Sequence, residues 1–228
     1  MLDDPNDLPN LRLSPETFDL FLSKGWFRMV HRMFTADQIY YQDGMHDIIW
    51  IRLDLEKFEW TSSHKKLLKA IKNLSLIHHN FCFIEPQCEQ VYELYRQSVS
   101  FDAPISINDF LYGNHFHMEF NTQSLSLYNG QELVGRGYFD IGHQSAAGIM
   151  NFYHPQYKKY SIGRVLFLLK IQHCISNGIR YFYPGYISPT VPNFDYKTSI
   201  HSPSTEFYDF EADEWIPMKS KPTLTFNH

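Results

Sequence analysis

Lysines 65, 66, 69 and 72 lie within a twenty-residue segment, 61–80, that contains no acid and three histidines, His64, His78 and His79. Lys65, Lys69 and Lys72, spaced by four and three, share one face of a helix. Such a face of ammonium groups without carboxylates suits a row of phosphates. A second concentration of reactive side chains falls in 138–197. There Lys158 and Lys159 precede a helix beginning at Ser161, and a helix N-terminus flanked by cations receives a phosphate or a carboxylate. Beyond that helix come the aromatic segment Arg180-Tyr181-Phe182-Tyr183-Pro184-Gly185-Tyr186 and a loop carrying Tyr196 and Lys197. Each feature has a plainer alternative: a solvated outer helix face, a solvated turn with Ser161 as its N-cap, and a surface loop with one buried tyrosine.

The elements that must hold these groups read as strand, strand, long helix, strand and loop. The apolar run 149–153 leads through Pro155 to a helix over 161–177 that Gly178 ends, and 180–186 is a β-rich segment. A strand feeding a helix that returns to a neighbouring strand is a β-α-β unit, with its ligand site at the carboxyl ends of the strands. Upstream, Ser14-Pro15 predicts a helix start closed by Gly25. Strand patterns run from 26 to 60, with a hairpin turn at Asp43-Gly44. Thr61 or Ser62 caps the basic helix, whose Leu67, Leu68, Ile71 and Leu74 form one apolar stripe. A strand over 76–84, a helix over about 86–99, a break at Asp102-Ala103-Pro104 and a helical turn at 107–111 follow. Asn129-Gly130 is the strongest hairpin signal, between strands 122–127 and 131–141. Gly135 and Gly137 mark a bulge or a close backbone approach. Residues 143–148 read as a loop, and 207–210 and 215–218 as edge strands.

Composition limits the function classes. Aromatics make up 17% of the 228 residues, which suits strands and packed surfaces rather than disorder. Cys82, Cys88 and Cys174 form no C-x-x-C pair and fit a reducing, cytoplasmic setting. No run approaches the ~18 apolar residues of a membrane span, and the acidic opening Met1-Leu2-Asp3-Asp4 is unlike a signal peptide. The net charge of -5 speaks against nucleic acid, but charge is segregated: 206–214 holds five acids and no base. The twelve histidines include no H-x-x-x-H pair, so His78-His79 and His115-x-His117 read as a half-exposed strand and a loop, and neither a metal nor another cofactor is expected.

From about residue 102, antiparallel strands, a β-α-β crossover and a further strand resemble a GNAT acyltransferase fold. The expectation is an α+β chain with a mixed sheet: an N-terminal α/β region over 1–101 and a GNAT-like catalytic region over 102–228. Residues narrow the resemblance. Asn129-Gly130-Gln131-Glu132-Leu133-Val134-Gly135, Asp140, Asn151-Phe152-Tyr153-His154-Pro155, Ser161-Ile162-Gly163, the segment 177–187 and Tyr196-Lys197 resemble arginyl-tRNA-protein transferases, in particular the bacterial leucyl-transferring branch. Gly25-Trp26-Phe27-Arg28 and Thr61-Ser62-Ser63-His64-Lys65-Lys66 resemble that family's Gly-Trp-Arg-Arg and Ser-x-Ser-Gln-Arg-Arg segments. Two departures stand out. The cysteine cluster usual after the Gly-Trp segment is missing, because 34–42 has no cysteine, so no metal cluster is implied. His64 and two lysines replace glutamine and arginines, keeping charge but losing bidentate geometry.

The resemblance implies attack by a protein's α-amino group on the ester of an aminoacyl-tRNA, giving a peptide bond and free tRNA. The transferred residue would be leucine or arginine and the acceptor an N-terminal Asp or Glu, marked for N-degron proteolysis. Such a reaction needs positioning, donors near the developing oxyanion and a route for the amine's proton. Tyr153, Tyr186, Tyr183 and Ser161 are the candidate donors, and Asp140 the candidate proton acceptor, with a turn or cap role as its alternative. Lys197, Tyr196, Arg164 and Gly163 are candidates for holding donor or acceptor, Arg136 a weaker one, and His64, Lys65, Lys66, Lys69 and Lys72 for holding tRNA. A coenzyme A acyltransferase is the alternative enzyme, but 158–165 has one glycine and lacks the full pyrophosphate turn. A non-catalytic binder of tRNA or N-terminal peptides is the other alternative.

Overall fold

A computed structural model of the chain describes residues 13–41, 44–101, 103–113, 120–191 and 196–218. Helix α1 (Pro15–Ser23) starts as the Ser-Pro pair predicts: the Ser14 hydroxyl accepts from the Thr17 N–H, and Gly25 leaves the helix at φ +70°. The run 26–34 folds back on itself as β1 (Phe27–Met29) and β2 (Arg32–Phe34), with Val30 at φ +56° between them. β3 (Gln38–Tyr41) and β4 (Gly44–Asp47) form the hairpin expected around Asp43-Gly44; Asp43 itself lies outside the described residues. β5 (Ile49–Asp54) follows. Thr61 then caps α2 (Ser62–Ala70), which ends earlier than its apolar stripe suggests, and β6 (Ser75–His79) is likewise shorter than its sequence pattern. Next come α3 (Pro86–Ser98), α4 (Ile107–Tyr112), β7 (Thr122–Asn129) and β8 (Glu132–Ile141), the last two joined at Gly130 with φ +61°. β9 (Ser145–Tyr153), α5 (Ile162–Ser176), β10 (Tyr181–Ile187), β11 (Thr205–Asp209) and β12 (Glu214–Pro217) complete the order.

Eight strands form one mixed sheet in the order β12-β11-β5-β10-β9-β8-β7-β6. β9 and β10 are its parallel pair, joined by α5. β5, from the first hundred residues, lies between β10 and β11, while β6 pairs with β7 at the far edge. Strands on both sides of residue 101 therefore share hydrogen bonds. β12 is an edge strand as expected, whereas β11 is interior, paired on both sides. The expected loop at 143–148 is largely strand, because Ala146 and Ala147 pair with both neighbours and Ser145 with Tyr181 of β10. The turn that remains is held by Asp19, which accepts the Gln144 N–H at 2.7 Å.

The two sheet faces carry different helices. α5 covers one face: Ile162, Val165, Leu166, Leu169 and Ile171 are buried against Leu125, Leu127, Phe139 and Phe182, with the Leu67–Leu68 stripe of α2 outside it. Apolar on almost every side, α5 is the central helix its composition demands. α1, α3 and α4 cover the opposite face, through Phe18, Leu22, Val91, Tyr92, Ile107 and Leu111. The acidic segment 206–214 is balanced from distant parts of the chain: Arg52 pairs with Glu206 at 2.7 Å, Lys57 with Glu206 at 2.9 Å, and Lys24 with Asp213.

Candidate active site

β9 and β10 run side by side only at their beginnings. Tyr181, Phe182 and Tyr183 pair with Ser145, Ala146 and Ala147, and the strands then part. Both carry a bulge at the point of parting. Against β8, Phe139 pairs with Gly148 and Tyr138 with Met150, leaving Ile149 as an extra residue. Against β5, Phe182 pairs with Leu53 and Gly185 with Ile51, so Tyr183 and Pro184 face one residue. A bulge adds bend and twist. Pro184 has no N–H for a ladder and Gly185 sits at φ +93°, which strains any other residue. The Tyr-Pro-Gly-Tyr segment is thus the device that turns β10 away from β9.

The opening is a cleft of about 110 Å³ at the carboxyl ends of the parallel strands. Gly148, Ile149, Met150 and Asn151 of β9 form one wall and Phe182 and Pro184 of β10 the other; Phe167 and Lys170 of α5 and the loop residues Tyr196 and Lys197 complete the lining. Lys197 reaches across Gly185: its Nζ donates to Tyr186 O at 2.7 Å and lies 4.9 Å from the Tyr186 ring centre. Burial pushes its ammonium down to about 7, although the side chain is only half-buried. Lys170 is 2% exposed and its Nζ donates to Tyr138 O at 2.6 Å and Met150 O at 3.1 Å. Burial pushes it, too, down to about 7. Asn151 donates from Nδ2 to Gly163 O at 3.4 Å, linking the wall to the first turn of α5, while its Oδ1 is buried without a partner among the described residues. Such a cleft can hold a small acyl or aminoacyl group beside amines that change charge near neutral pH.

The sequence model of the arginine-tRNA-protein transferase C terminus matches residues 87–206, more than half the chain and the whole cleft lining. The chain belongs to that family. Among its relatives, an aspartate/glutamate leucyltransferase of Helicobacter hepaticus is 28% identical over 182 residues, 76% of this chain and 72% of that one. One from Leptospira interrogans is 26% identical over 194 residues, 81% of this chain and 72% of that one. Of solved structures, a tandem GNAT protein from the clavulanic acid biosynthesis pathway is 13% identical, with a TM-score of 0.47, over 70% of this chain and 50% of that one.

Within this transferase the sequence-predicted residues divide into three groups. Lys197 and Tyr196 line the cleft, and Tyr186 joins them through its carbonyl and ring. Gly163 meets it indirectly, through Asn151. Ser161 stands at the start of α5 with φ +54° and no capping bond from its side chain, and Arg164 is exposed one turn on. Of the others, Tyr183 and Asp140 are built into the core and Tyr153 is half-buried. Tyr183 is 3% exposed on the α1 face, against Trp215, with its phenol raised to about 12 by burial. Tyr153 packs against Tyr95, with ring centres 5.2 Å apart, and burial raises its phenol. Asp140 is 1% exposed and points away from the cleft: Oδ1 accepts from Arg28 Nη1 at 2.8 Å and from the Thr122 hydroxyl at 2.6 Å. This gives Arg28 of the Gly-Trp segment its task, which is to hold β8 to the first turn region of the chain. Arg136 is likewise spent, bonding Ser126 at 2.7 Å, Phe83 O at 2.8 Å and Glu85 at 2.6 Å.

The basic helix also divides. Lys65, Lys66, Lys69 and Lys72 are exposed, and none forms an ion pair among the described residues. His64 is not part of that face. It is 2% exposed, its Nδ1 accepts the Thr61 N–H at 3.3 Å, and its Nε2 therefore carries the proton and donates to Ile200 O at 2.8 Å. The departure from the family segment thus fixes α2 to the loop that brings Tyr196 and Lys197 to the cleft. His115 and His117 lie outside the described residues; His78 bonds Gln123 at 2.7 Å on the edge strand β6, which is exposed at four of its five residues rather than half-exposed, and no group of three or more metal-ligating side chains occurs among the described residues. Lys170 and the Oδ1 of Asn151 were not legible as site residues. A single lysine in the apolar run 162–171 is the signal by which the first could have been found.

Proposed function

We propose that this chain transfers an aminoacyl group from aminoacyl-tRNA to the α-amino group of an acceptor protein, within the cleft between β9 and β10. The observation that carries the reading is the parting of these strands inside the family-matched segment, with Lys197 drawn across the opening. The ester is already activated, so holding amine and carbonyl together supplies much of the rate. Leucine is the donor favoured by the relatives' names, and N-terminal Asp or Glu the acceptors. Lys197 answers the acceptor's carboxylate: charge attraction raises its proton affinity on binding, so the pair forms best where the lysine is protonated. The exposed lysines of α2 hold tRNA phosphates, and α2 is anchored through His64 to the cleft loop. Such marking feeds N-degron proteolysis in the cytoplasm, where charged tRNA is made. Residues 1–101 supply the basic helix and residues 102–228 the catalytic region.

The test incubates purified protein with labelled leucyl-tRNA or arginyl-tRNA and peptides beginning with Asp, Glu or Ala. Leucine transfer to the Asp and Glu peptides, with little to Ala, is expected. Transfer to none of them at any salt concentration overturns the reading, and arginine transfer alone overturns the donor assignment.

A further inference from the structure

We infer that Lys170 is the proton acceptor for the attacking α-amine. The inference rests on the transfer reading above. Lys170 stands in the third turn of α5, sealed from bulk water, with its side chain on the cleft wall. Its two hydrogen bonds go to backbone oxygens, Tyr138 O and Met150 O. Two N–H groups are all that a neutral amine has to give, and the remaining tetrahedral position carries a lone pair. An ammonium here would bury a third N–H and a full charge without a counter-ion among the described residues.

The groups that face it do not change this balance. On its own helix Cys174 is neutral, its thiol pushed up to about 12 by burial. On β8, Asp140 is already paired with Arg28, and Tyr138 meets Lys170 through its carbonyl. Across the cleft stand Tyr196 and Lys197, which add no negative charge at neutral pH. A lysine whose proton affinity burial lowers to about 7 exchanges protons in neutral solution, as a general base must.

A second observation points the same way. A Cβ at Gly137 would fall 2.6 Å from Lys170 Cε and 2.5 Å from Asn151 Oδ1, so both side chains occupy the space this glycine leaves. Asn151 Oδ1 is buried and has no donor among the described residues. Two open acceptors on one wall, a lone pair and an amide oxygen, fit a group rich in N–H. Of the reactants that is the α-ammonium, not the ester carbonyl.

The step balances as follows. The α-ammonium gives one proton to solvent on entry, and the free amine's lone pair forms the C–N bond while the carbonyl π pair moves to oxygen. Lys170 takes a proton from the now cationic nitrogen. Collapse reforms the carbonyl and breaks the C–O bond, and Lys170 returns its proton to the departing ribose oxygen, leaving the lysine neutral again.

The experiment is the single-turnover rate of leucyl transfer between pH 5.5 and 9 for wild type and Lys170→Met, which keeps the apolar stem. Wild type should show an inflection near 7 and the acceptor's own near ~8. At saturating acceptor, whose bound carboxylate keeps Lys197 charged across this range, Lys170→Met should be at least ~100-fold slower and retain only the second inflection. A readout that needs no Lys170 variant is the titration of ¹³Cε-labelled lysines by NMR in wild type and in Lys197→Ala: two resonances should titrate near neutrality in the first and one in the second. A folded Lys170→Met that transfers within threefold of wild type with the same pH profile overturns the inference alone, as does a Lys197→Ala protein with no near-neutral lysine. A wild type that transfers nothing overturns the transfer reading and this inference with it.

Discussion

Replacing Asp140 by Asn separates a structural carboxylate from a chemical one. In the folded chain this side chain and the guanidinium of Arg28 are 1% and 2% exposed, and Arg28 Nη1 lies 2.8 and 3.1 Å from the two carboxylate oxygens. The amide removes the charge and sets an NH₂ among donors, leaving Arg28 without its counter-ion 4.3 Å from the Phe120 ring. Removing one partner of a buried ion pair costs about 3–5 kcal/mol. For a chain of this size, where each kcal/mol moves the midpoint by about 2–4 °C, melting should fall by about 6–20 °C. The assay pairs urea unfolding with transfer rates at a temperature where the variant is still fully folded. The expected result is a large loss of stability with the transfer rate per folded molecule within threefold of wild type. Unchanged stability with abolished transfer would refute the placement of Asp140 in the core and restore it as a proton acceptor.

Other consequences follow from the same geometry. Gly137→Ala drives a methyl group to within 2.6 Å of Lys170 Cε, so unfolding measurements should show a loss of about 1–3 kcal/mol and transfer should fall with it. Replacing Lys65, Lys66, Lys69 and Lys72 by Ala should weaken tRNA binding and flatten its dependence on salt, by about one unit of the log–log slope for each phosphate no longer neutralised. Equal weakening at low and high salt would contradict the phosphate pairing. Stability itself should depend on pH. Lys170 and Lys197 release their protons near 7 when folded but in the usual lysine range when unfolded, so above about pH 7 the unfolded chain binds more protons and stability rises. The free energy of urea unfolding between pH 6.5 and 8 should increase, by at most about 1.4 kcal/mol per pH unit for the sealed Lys170. This window closes above ~8.5, where the thiols of Cys88 and Cys174, both raised by burial in the folded chain, ionise in the unfolded one.

What could be read from the sequence was local. Ser14-Pro15, Thr61 and Asn129-Gly130 each satisfy backbone groups within a few residues, and helix starts and hairpins follow from them directly. The chain's apolar rhythm gave α5 and its β-α-β setting. The insertion of β5 between β10 and β11 has no local signal, because its partners lie more than a hundred residues away. The same distance hid the use of Asp140, whose partner is 112 residues upstream. His64 looked like one more member of a basic face until its ring was seen to cap α2 and hold Ile200. Tyr196-Lys197 and the Tyr-Pro-Gly-Tyr segment stood out in the sequence because they are contiguous motifs, and both come to the cleft. Lys170 did not stand out, since a lysine's long stem normally carries its ammonium to water even from an apolar helix.

The central claim is that the acceptor's N-terminus enters the cleft where β9 parts from β10. It is tested most directly by photo-crosslinking an Asp-initiated peptide that carries a diazirine at its second residue, followed by mass spectrometric mapping. Adducts are expected on Ile149, Met150 and Tyr196, suppressed by an excess of unlabelled Asp peptide and reduced in Lys197→Ala. Competable adducts confined to other surfaces, with the cleft residues unlabelled, would contradict it.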